Sequence, residues 1–358
     1  MIKVTPDLLR FDDGRPVDAA SWQERRGELH RAIVPHEYGG MFPSGQATEA
    51  VLRARSGVQS MPGCVNATYT VRTTFASGAE LCFTLTLLIP PGKGPFPVVL
   101  EGDGCWRYFD DEVAARVVAR GNIAARFDRT EAAADNKDLY RETGLYCIFP
   151  ESRIGVLPAW AWAYHRAVDA LLTMPEVRSD AIAITGHSRG GKTVLLAGAT
   201  DQRIALTNPN GSGIGGAGLN RLKAAGSETV DAFFSGNIFW FGDGFKAHRN
   251  RDAELPYDQH YLHALVAPRL LLVTDAYEDH PANPPGTYAA CLAAREVWKL
   301  LGAPQNIGWV IREGQHAHTL ADFEALLDFM DMHLHQREAP RQFQRRLFPD
   351  LGELLHGA

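Results

Sequence analysis

The chain has 358 residues, of which 45% are hydrophobic and 22% are charged. This composition is typical of a globular protein with a large core and excludes a disordered or fibrous chain. The net charge of −6 argues against nucleic acid as a partner, because nucleic-acid binding draws on a basic surface. No stretch approaches the roughly 20 apolar residues needed to span a bilayer. We therefore expect neither a nucleic acid nor a membrane among the partners.

The cysteines and the start of the chain bear on its compartment. The five cysteines are scattered, odd in number and without a Cys-x-x-Cys pair, which predicts a reduced cytoplasmic protein without disulfides. No apolar segment follows Lys3, so no signal peptide is predicted, and an extracellular or periplasmic location would require that a leader had been removed. We expect no metal and no cofactor.

Hydrophobic periodicity predicts a series of helices and strands. An amphipathic helix over Asp18–His36 comes first, followed by two alternating strands that end at the turn Pro90-Pro91-Gly92. From Pro97 onward strands and helices alternate. The predicted strands are Ala67–Phe75, Glu80–Ile89, Val98–Leu100, Ile123–Phe127, Ala181–Thr185, Ile204–Thr207, Arg269–Thr274 and Ile307–Ile311. The predicted later helices are Asp111–Arg120, Leu157–Met174, the segment after Ser188, Tyr288–Leu301 and Leu320–His335.

This alternation predicts the architecture. Strands that alternate with helices form a mostly parallel sheet covered on both faces, with the active site at the carboxyl ends of the strands. We expect one α/β domain over residues 1–358, a three-layer sandwich with a helical N-terminal segment over about 1–60. Two stretches interrupt the alternation, the polar rim loop Asp128–Arg153 and a lid-like insertion over about 212–267. The aromatic residues of that insertion form either a lid beside the site or a satellite core.

The segment Ile182–Lys192 predicts the nucleophile. A β-branched run enters Gly-His-Ser-Arg-Gly, which leads directly into a helix-forming stretch. A strand that turns sharply into a helix exposes a serine hydroxyl at the top of the sheet, as in the nucleophile elbow of α/β-hydrolases. Ser188 is the predicted nucleophile, and the order of the later loops agrees with the α/β-hydrolase fold.

A serine nucleophile needs a base, and the base needs a carboxylate to orient it. The loop between the last predicted strand and helix offers His316 and His318, and His316 is favoured because it directly follows the turn of the loop. The loop after the strand at 269–274 offers three acids. Asp275 lies so near the strand end that we expect it to cap the turn. We favour Asp279, with Glu278 as the alternative.

Two cations follow the serine. Arg189 can donate to a developing oxyanion in a dry site, and Lys192 lies one helical turn from Ser188. The alternative is that both are surface charges. Cations in the first turn of a helix oppose its dipole, which favours the functional interpretation.

Several motifs resemble those of the glucuronoyl esterases, a family of carbohydrate esterases. The elbow Gly-His-Ser-Arg-Gly-Gly-Lys resembles that family's Gly-Cys/His-Ser-Arg-x-Gly-Lys. Further matches are Ala159–Trp162, Trp240-Phe241, Leu255–His260 and Ala267–Arg269. The resemblance implies an acyl-serine mechanism with Ser188 as nucleophile, His316 as base, Arg189 as oxyanion donor and Lys192 on a uronate hydroxyl. Trp240 and Gln259, which lie in matched segments, are further predicted substrate-binding residues.

The departures from the family pattern concern the acid and the sugar site. Fungal members have a catalytic glutamate before the Ser-Gly-x-Gly-Gly run, where this chain has Gly211. The acid then comes from the loop after the next strand, as in some bacterial members, which agrees with Asp279. Pro281 replaces the tryptophan of that loop, so we expect an altered sugar site. The predicted activity is hydrolysis of an ester of a uronic or similar polar acid; the alternatives are an acetyl-sugar esterase and, more remotely, a non-catalytic binding protein.

Overall fold

A computed structural model describes residues 4–357 of the chain, with side chains through Leu355. Residues 1–3 of the predicted N-terminal segment and the last residue of the predicted domain lie outside this range. Within it, no helix combines the length and the apolar character that a membrane crossing requires.

Strands and helices follow one another along the chain. The strands are β1 (Ala47–Gly57), β2 (Val65–Thr74), β3 (Glu80–Ile89), β4 (Phe96–Glu101), β5 (Ile123–Phe127), β6 (Val177–His187), β7 (Leu206–Asn210), β8 (Leu222–Lys223), β9 (Leu270–Ala276), β10 (Ile307–Arg312) and β11 (His356–Gly357). The α-helices are α1 (Trp22–Tyr38), α2 (Asp111–Ala119), α3 (Leu145–Ile148), α4 (Val156–Leu171), α5 (Arg189–Thr200), α6 (Asp243–Lys246), α7 (His260–Val266), α8 (Pro284–Leu300), α9 (Leu320–Leu334) and α10 (Leu351–Leu354).

Nine strands form one sheet in the order β1-β2-β3-β5-β4-β6-β7-β9-β10. In this order, the neighbouring strands from β1 to β5 pair antiparallel, and the neighbouring strands from β5 to β10 pair parallel. The burial pattern of the strands explains this division. β2 and β3 alternate between buried and more exposed positions, whereas β7 and β9 are buried throughout, as expected for strands covered on both faces.

The two faces of the sheet build two cores. On β4, Val98 and Leu100 pack into the core that includes side chains of α4, α5, α7 and α8, while Val99 lies in the core with α2 and α9. The chain therefore forms three layers, helix on sheet on helix, and the predicted α/β class is confirmed. The carboxyl ends of β4, β6, β7, β9 and β10 meet at one edge, where the loops of the site lie.

The structure corrects two expectations. The N-terminal segment is not helical to residue 60, because β1 pairs with β2 at the edge of the sheet. One face of β1 is only half-buried, so its sequence lacks a strong alternating signal. The aromatic residues of the insertion over 212–267 do not form a satellite core: Phe233, Phe239, Trp240, Phe241 and Phe245 are buried in the main core.

Candidate active site

Ser188 occupies the sharp turn between β6 and α5. Its backbone angles are φ 56° and ψ −120°, a region that few non-glycine residues adopt and that indicates a strained turn. The turn closes only because its neighbours lack side chains. A Cβ on Gly190 would lie 2.1 Å from Asp103 Oδ1, and one on Gly186 would lie 2.8 Å from the Gly190 carbonyl oxygen. The segment thus has the strand–turn–helix geometry that its motif predicted.

His316 and Asp279 come together from the two loops that follow β10 and β9. His316 Nδ1 lies 2.6 Å from Asp279 Oδ2, and the aspartate is buried while 46% of the histidine side chain is exposed. The parallel pairing of β9 with β10 brings the two loops side by side at the carboxyl edge. An accessible imidazole with its Nδ1 held by a buried carboxylate has Nε2 free to take a proton.

The other two acids of this region have different partners. Glu278 is exposed, and its carboxylate accepts a hydrogen bond from the Gly314 N–H in the histidine loop. Asp275 is buried, accepts a hydrogen bond from the Ala276 N–H at 2.8 Å, and has its pKa raised by burial. Asp275 therefore caps the strand end, as expected from the sequence.

The second candidate base, His318, belongs to the core. Its ring stacks on Phe323 with 4.0 Å between centroids, and both of its ring nitrogens are buried without a hydrogen-bond partner among the described residues. Burial lowers the pKa of His318, so the ring stays neutral. A side chain in this position is not accessible to a substrate.

His187 connects the elbow to the base. Its Nδ1 lies 2.6 Å from Asn210 Oδ1, and its ring centroid lies 4.4 Å from that of His316. Burial, together with the neighbouring His316, lowers the pKa of His187 to about 4. His316 therefore packs against a neutral ring directly beside Ser188. Within residues 4–357 the hydrogen bond of the His316 ring is the one from Nδ1 to Asp279 and none joins the ring to Ser188; contacts between a nucleophile and its base commonly tighten only when substrate binds.

Arg189 is held between two tryptophans. Its guanidinium carbon lies 4.4 Å from the ring centroid of Trp240 and 5.4 Å from that of Trp106. Its Nη1 donates to both carboxylate oxygens of Asp135 at 3.1 Å. Its Nε is buried and has no acceptor among the described residues. The side chain thus keeps unused donors next to the elbow.

A buried ion pair lies behind Arg189. Arg129 Nη1 is 2.6 Å from Asp103 Oδ1, and its Nη2 is 3.3 Å from Asp135 Oδ2. Burial raises the pKa of Asp103, and the positive charge of Arg129 opposes that increase. Asp103, Arg129 and Asp135 were not among the site residues predicted from the sequence. The available signal was their position, directly after β4 and in the polar loop that follows β5.

The predicted substrate-binding side chains are all buried. Lys192 Nζ donates to the backbone carbonyls of Ser212 and Ile214, and burial lowers its pKa to about 8. Trp240 retains little exposure, and its Nε1 lies 3.4 Å from Asp135 Oδ1. The prediction for Gln259 is corrected. This side chain is fully buried, and its amide donates to both carboxylate oxygens of Glu37, at 3.0 and 2.8 Å, instead of facing a substrate.

The relatives of the chain show its family. A family model described as fungal glucuronyl esterase matches residues 73–302. The chain belongs to the glucuronoyl esterase family. It is therefore a carboxylic ester hydrolase, as its motifs predicted.

Similar proteins include fungal and prokaryotic esterases. The 4-O-methyl-glucuronoyl methylesterase 1 of Wolfiporia cocos is 31% identical over 87% of this chain and 76% of its own length. Carbohydrate esterase MZ0003, from an unknown prokaryotic organism, is 36% identical over 92% of this chain and 89% of its own. The solved glucuronoyl esterase from Caldicellulosiruptor kristjansonii superposes with a TM-score of 0.83 at 30% identity, covering 98% of this chain and 96% of that one.

Proposed function

We propose that this esterase hydrolyses esters of 4-O-methylglucuronate or a closely similar uronate, through an acyl-serine intermediate on Ser188. The observation that carries the proposal is the 2.6 Å contact between His316 and Asp279 beside the strained serine turn. The relative from Wolfiporia cocos is a 4-O-methyl-glucuronoyl methylesterase, which supports the choice of acid.

In the proposed mechanism the Ser188 oxygen attacks the ester carbonyl while His316 Nε2 takes the hydroxyl proton. Asp279 keeps the proton of the neutral imidazole on Nδ1 and stabilises the imidazolium that forms. When the tetrahedral intermediate collapses, the bond to the alcohol breaks and His316 returns the proton to the leaving oxygen. Water then attacks the acyl-serine by the same route in reverse, which releases the uronate and restores Ser188.

Two cations complete the proposed site. Arg189 donates to the oxyanion together with its own backbone N–H, which lies in the first turn of α5. The accessible part of its guanidinium supports this role, because Asp135 engages only Nη1 and 29% of the side chain is exposed. Lys192 has three donors and uses two on backbone carbonyls, so the third is available for a uronate hydroxyl.

The test compares methyl 4-O-methylglucuronate with an acetylated xylose as substrates, with Ser188→Ala as the control for background. We expect faster turnover of the uronate ester by the unmodified enzyme and labelling of Ser188 by a fluorophosphonate. Preference for the acetyl ester would favour an acetyl-sugar esterase instead. Absence of both turnover and labelling would indicate a non-catalytic binding protein.

For location, we propose the cytoplasm, where the substrate would be a small saccharide ester. Three of the five free cysteines, Cys82, Cys105 and Cys147, are exposed, which favours a reducing compartment. Fractionation of cells that carry the native gene would test this, and recovery outside the cytoplasm would contradict it.

A further inference from the structure

Four side chains of alternating charge connect the serine turn to the guanidinium of Arg189. Asp103 pairs with Arg129 at 2.6 Å, Arg129 pairs with Asp135 at 3.3 Å, and Asp135 pairs with Arg189 at 3.1 Å. Asp103 and Arg129 are fully buried, and the Asp135 side chain is 13% exposed. Ion pairs shielded from water in this way keep a defined geometry, because an unpaired buried charge is strongly unfavourable.

One end of this chain of charges lies against the serine turn. Asp103 Oδ2 accepts a hydrogen bond of 2.7 Å from the backbone N–H of His187, the residue before the nucleophile. The other oxygen of Asp103 occupies the space that a side chain at position 190 would need. Asp103 is therefore in contact with both sides of the turn that carries Ser188.

The middle of the chain of charges is rigid. The Arg129 guanidinium lies 4.5 Å from the ring centroid of Trp106 and 4.6 Å from that of Trp160. Trp160 also donates from Nε1 to the Ala133 carbonyl at 2.8 Å, which holds the loop that carries Asp135. Neither Arg129 nor this loop can move without losing buried contacts.

The other end is at Asp135. Both of its carboxylate oxygens accept from one nitrogen of Arg189, Nη1. The Arg189 side chain is 29% exposed, and its contacts with the rings of Trp240 and Trp106 do not fix the direction of its N–H groups, so the carboxylate is the contact that orients them. The carboxylate thus selects one orientation of a flexible cation.

We propose that Asp135 is a positioning residue: through Arg129 and Asp103 it fixes the Arg189 guanidinium relative to Ser188, so that the oxyanion donor is in place before the substrate binds. This inference rests on the proposed role of Arg189. Donors that are oriented in advance stabilise a transition state without reorganisation during the reaction. The loss of Asp135 should therefore lower kcat more than it raises KM.

A double-mutant cycle on methyl 4-O-methylglucuronate tests this inference with Asp135→Asn, Arg189→Gln and the double variant. We expect Arg189→Gln to lower kcat by about 10²–10³, as for loss of one oxyanion donor, and Asp135→Asn to lower it at least tenfold with little change in KM. The double variant should be no slower than Arg189→Gln, because Asp135 acts through that residue. Asp138→Asn is the control, since Asp138 lies on the same loop, is exposed and pairs with Lys137; it should keep the activity of the unmodified enzyme.

The outcomes separate this inference from the proposed function. If Arg189→Gln keeps full activity, the role of Arg189 itself is wrong. If Arg189→Gln is impaired but Asp135→Asn is not, or if the two losses multiply in the double variant, the positioning role of Asp135 is wrong. Should Asp135→Asn fail to fold, Asp135→Glu replaces it in the cycle. The longer side chain keeps the charge but displaces the Arg189 guanidinium. We again expect Asp135→Glu to lower kcat in the otherwise unmodified enzyme and to have no further effect when Arg189 is already Gln.

Discussion

The assignment of Asp279 as the orienting acid predicts a specific loss in the variant Asp279→Asn. Asparagine has nearly the same shape as aspartate but carries no charge, and its amide can donate to His316 Nδ1. The imidazole would then carry its proton on Nε2, which is the nitrogen that has to accept the proton of Ser188. The fold should survive, since the substitution leaves the volume of this buried position unchanged.

The size of the loss follows from the contact between the two side chains. The His316 ring and the carboxylate are in direct hydrogen-bond contact at 2.6 Å, the aspartate side chain is 2% exposed, and the ring becomes an imidazolium when it takes the Ser188 proton. At an effective dielectric constant of about 20, two unit charges about 4 Å apart interact by about 4 kcal/mol. Losing this stabilisation of the imidazolium corresponds to about a thousandfold decrease in kcat. The wrong tautomer adds to the loss.

Glu278→Gln is the matched control. It changes a neighbouring carboxylate that bonds to the Gly314 N–H and not to the imidazole, and glutamine keeps an acceptor for that bond. We expect a loss of less than about tenfold, as for a residue outside the proton path. Initial rates of ester hydrolysis and thermal melting of both purified variants provide the measurement. A large loss of activity in Glu278→Gln together with a small loss in Asp279→Asn would refute the assignment. Small losses in both variants would place the acid elsewhere.

Three further predictions concern other parts of the molecule. Ser188→Ala should reduce ester hydrolysis to below about a thousandth of the original rate with a nearly unchanged melting temperature, and higher residual turnover would indicate another nucleophile. His316→Ala should lose as much ester hydrolysis as Ser188→Ala. His318→Ala should keep substantial activity but melt at a lower temperature, because it leaves a cavity beside Phe323. The reverse pattern of activities would make His318 the base. Burial raises the pKa of Glu37 from 4.5 to about 7, so the folded protein binds this proton more tightly than the unfolded chain does. The protonated carboxyl group therefore stabilises the fold below pH 4.5, and this stabilisation is lost as the pH rises through 7. Urea unfolding should show a decline of up to about 3 kcal/mol between pH 4.5 and 8 that is absent from Glu37→Gln, and parallel pH dependence of the two proteins would contradict it.

The elements nearest the site were predictable because their residues obey local rules. The apolar stretch Ala181–Ile184, with two β-branched residues, favours a strand covered on both faces, and the glycines around Ser188 permit its sharp turn. The preference for His316 over His318 also depended on position along the loop. In each case a few neighbouring residues determine the local structure, so no knowledge of distant contacts was needed.

The residues that were missed or misinterpreted depend on contacts between distant segments. Gln259 lies in a segment that matches the family, yet its partner Glu37 is more than 200 positions away, on α1. The contact of Asp135 with Arg189 depends on how the loop after β5 folds over the serine turn. Neither pairing has a periodic pattern or a motif, so a single sequence offers no way to find it.

The departure from the fungal pattern at Gly211 has a steric explanation in the structure. Gly211 has φ 49°, in the left-handed region, and a Cβ at this position would lie 3.5 Å from Asp279 Oδ2 and 3.3 Å from the His187 ring. That oxygen is the one in contact with His316. A carboxylate extending from position 211 would therefore compete with Asp279 for the same space beside the imidazole, and two carboxylates there would repel each other. A single carboxylate fits behind His316. This one constraint explains both why the loop after β9 supplies the acid, Asp279, and why a glycine, Gly211, follows β7.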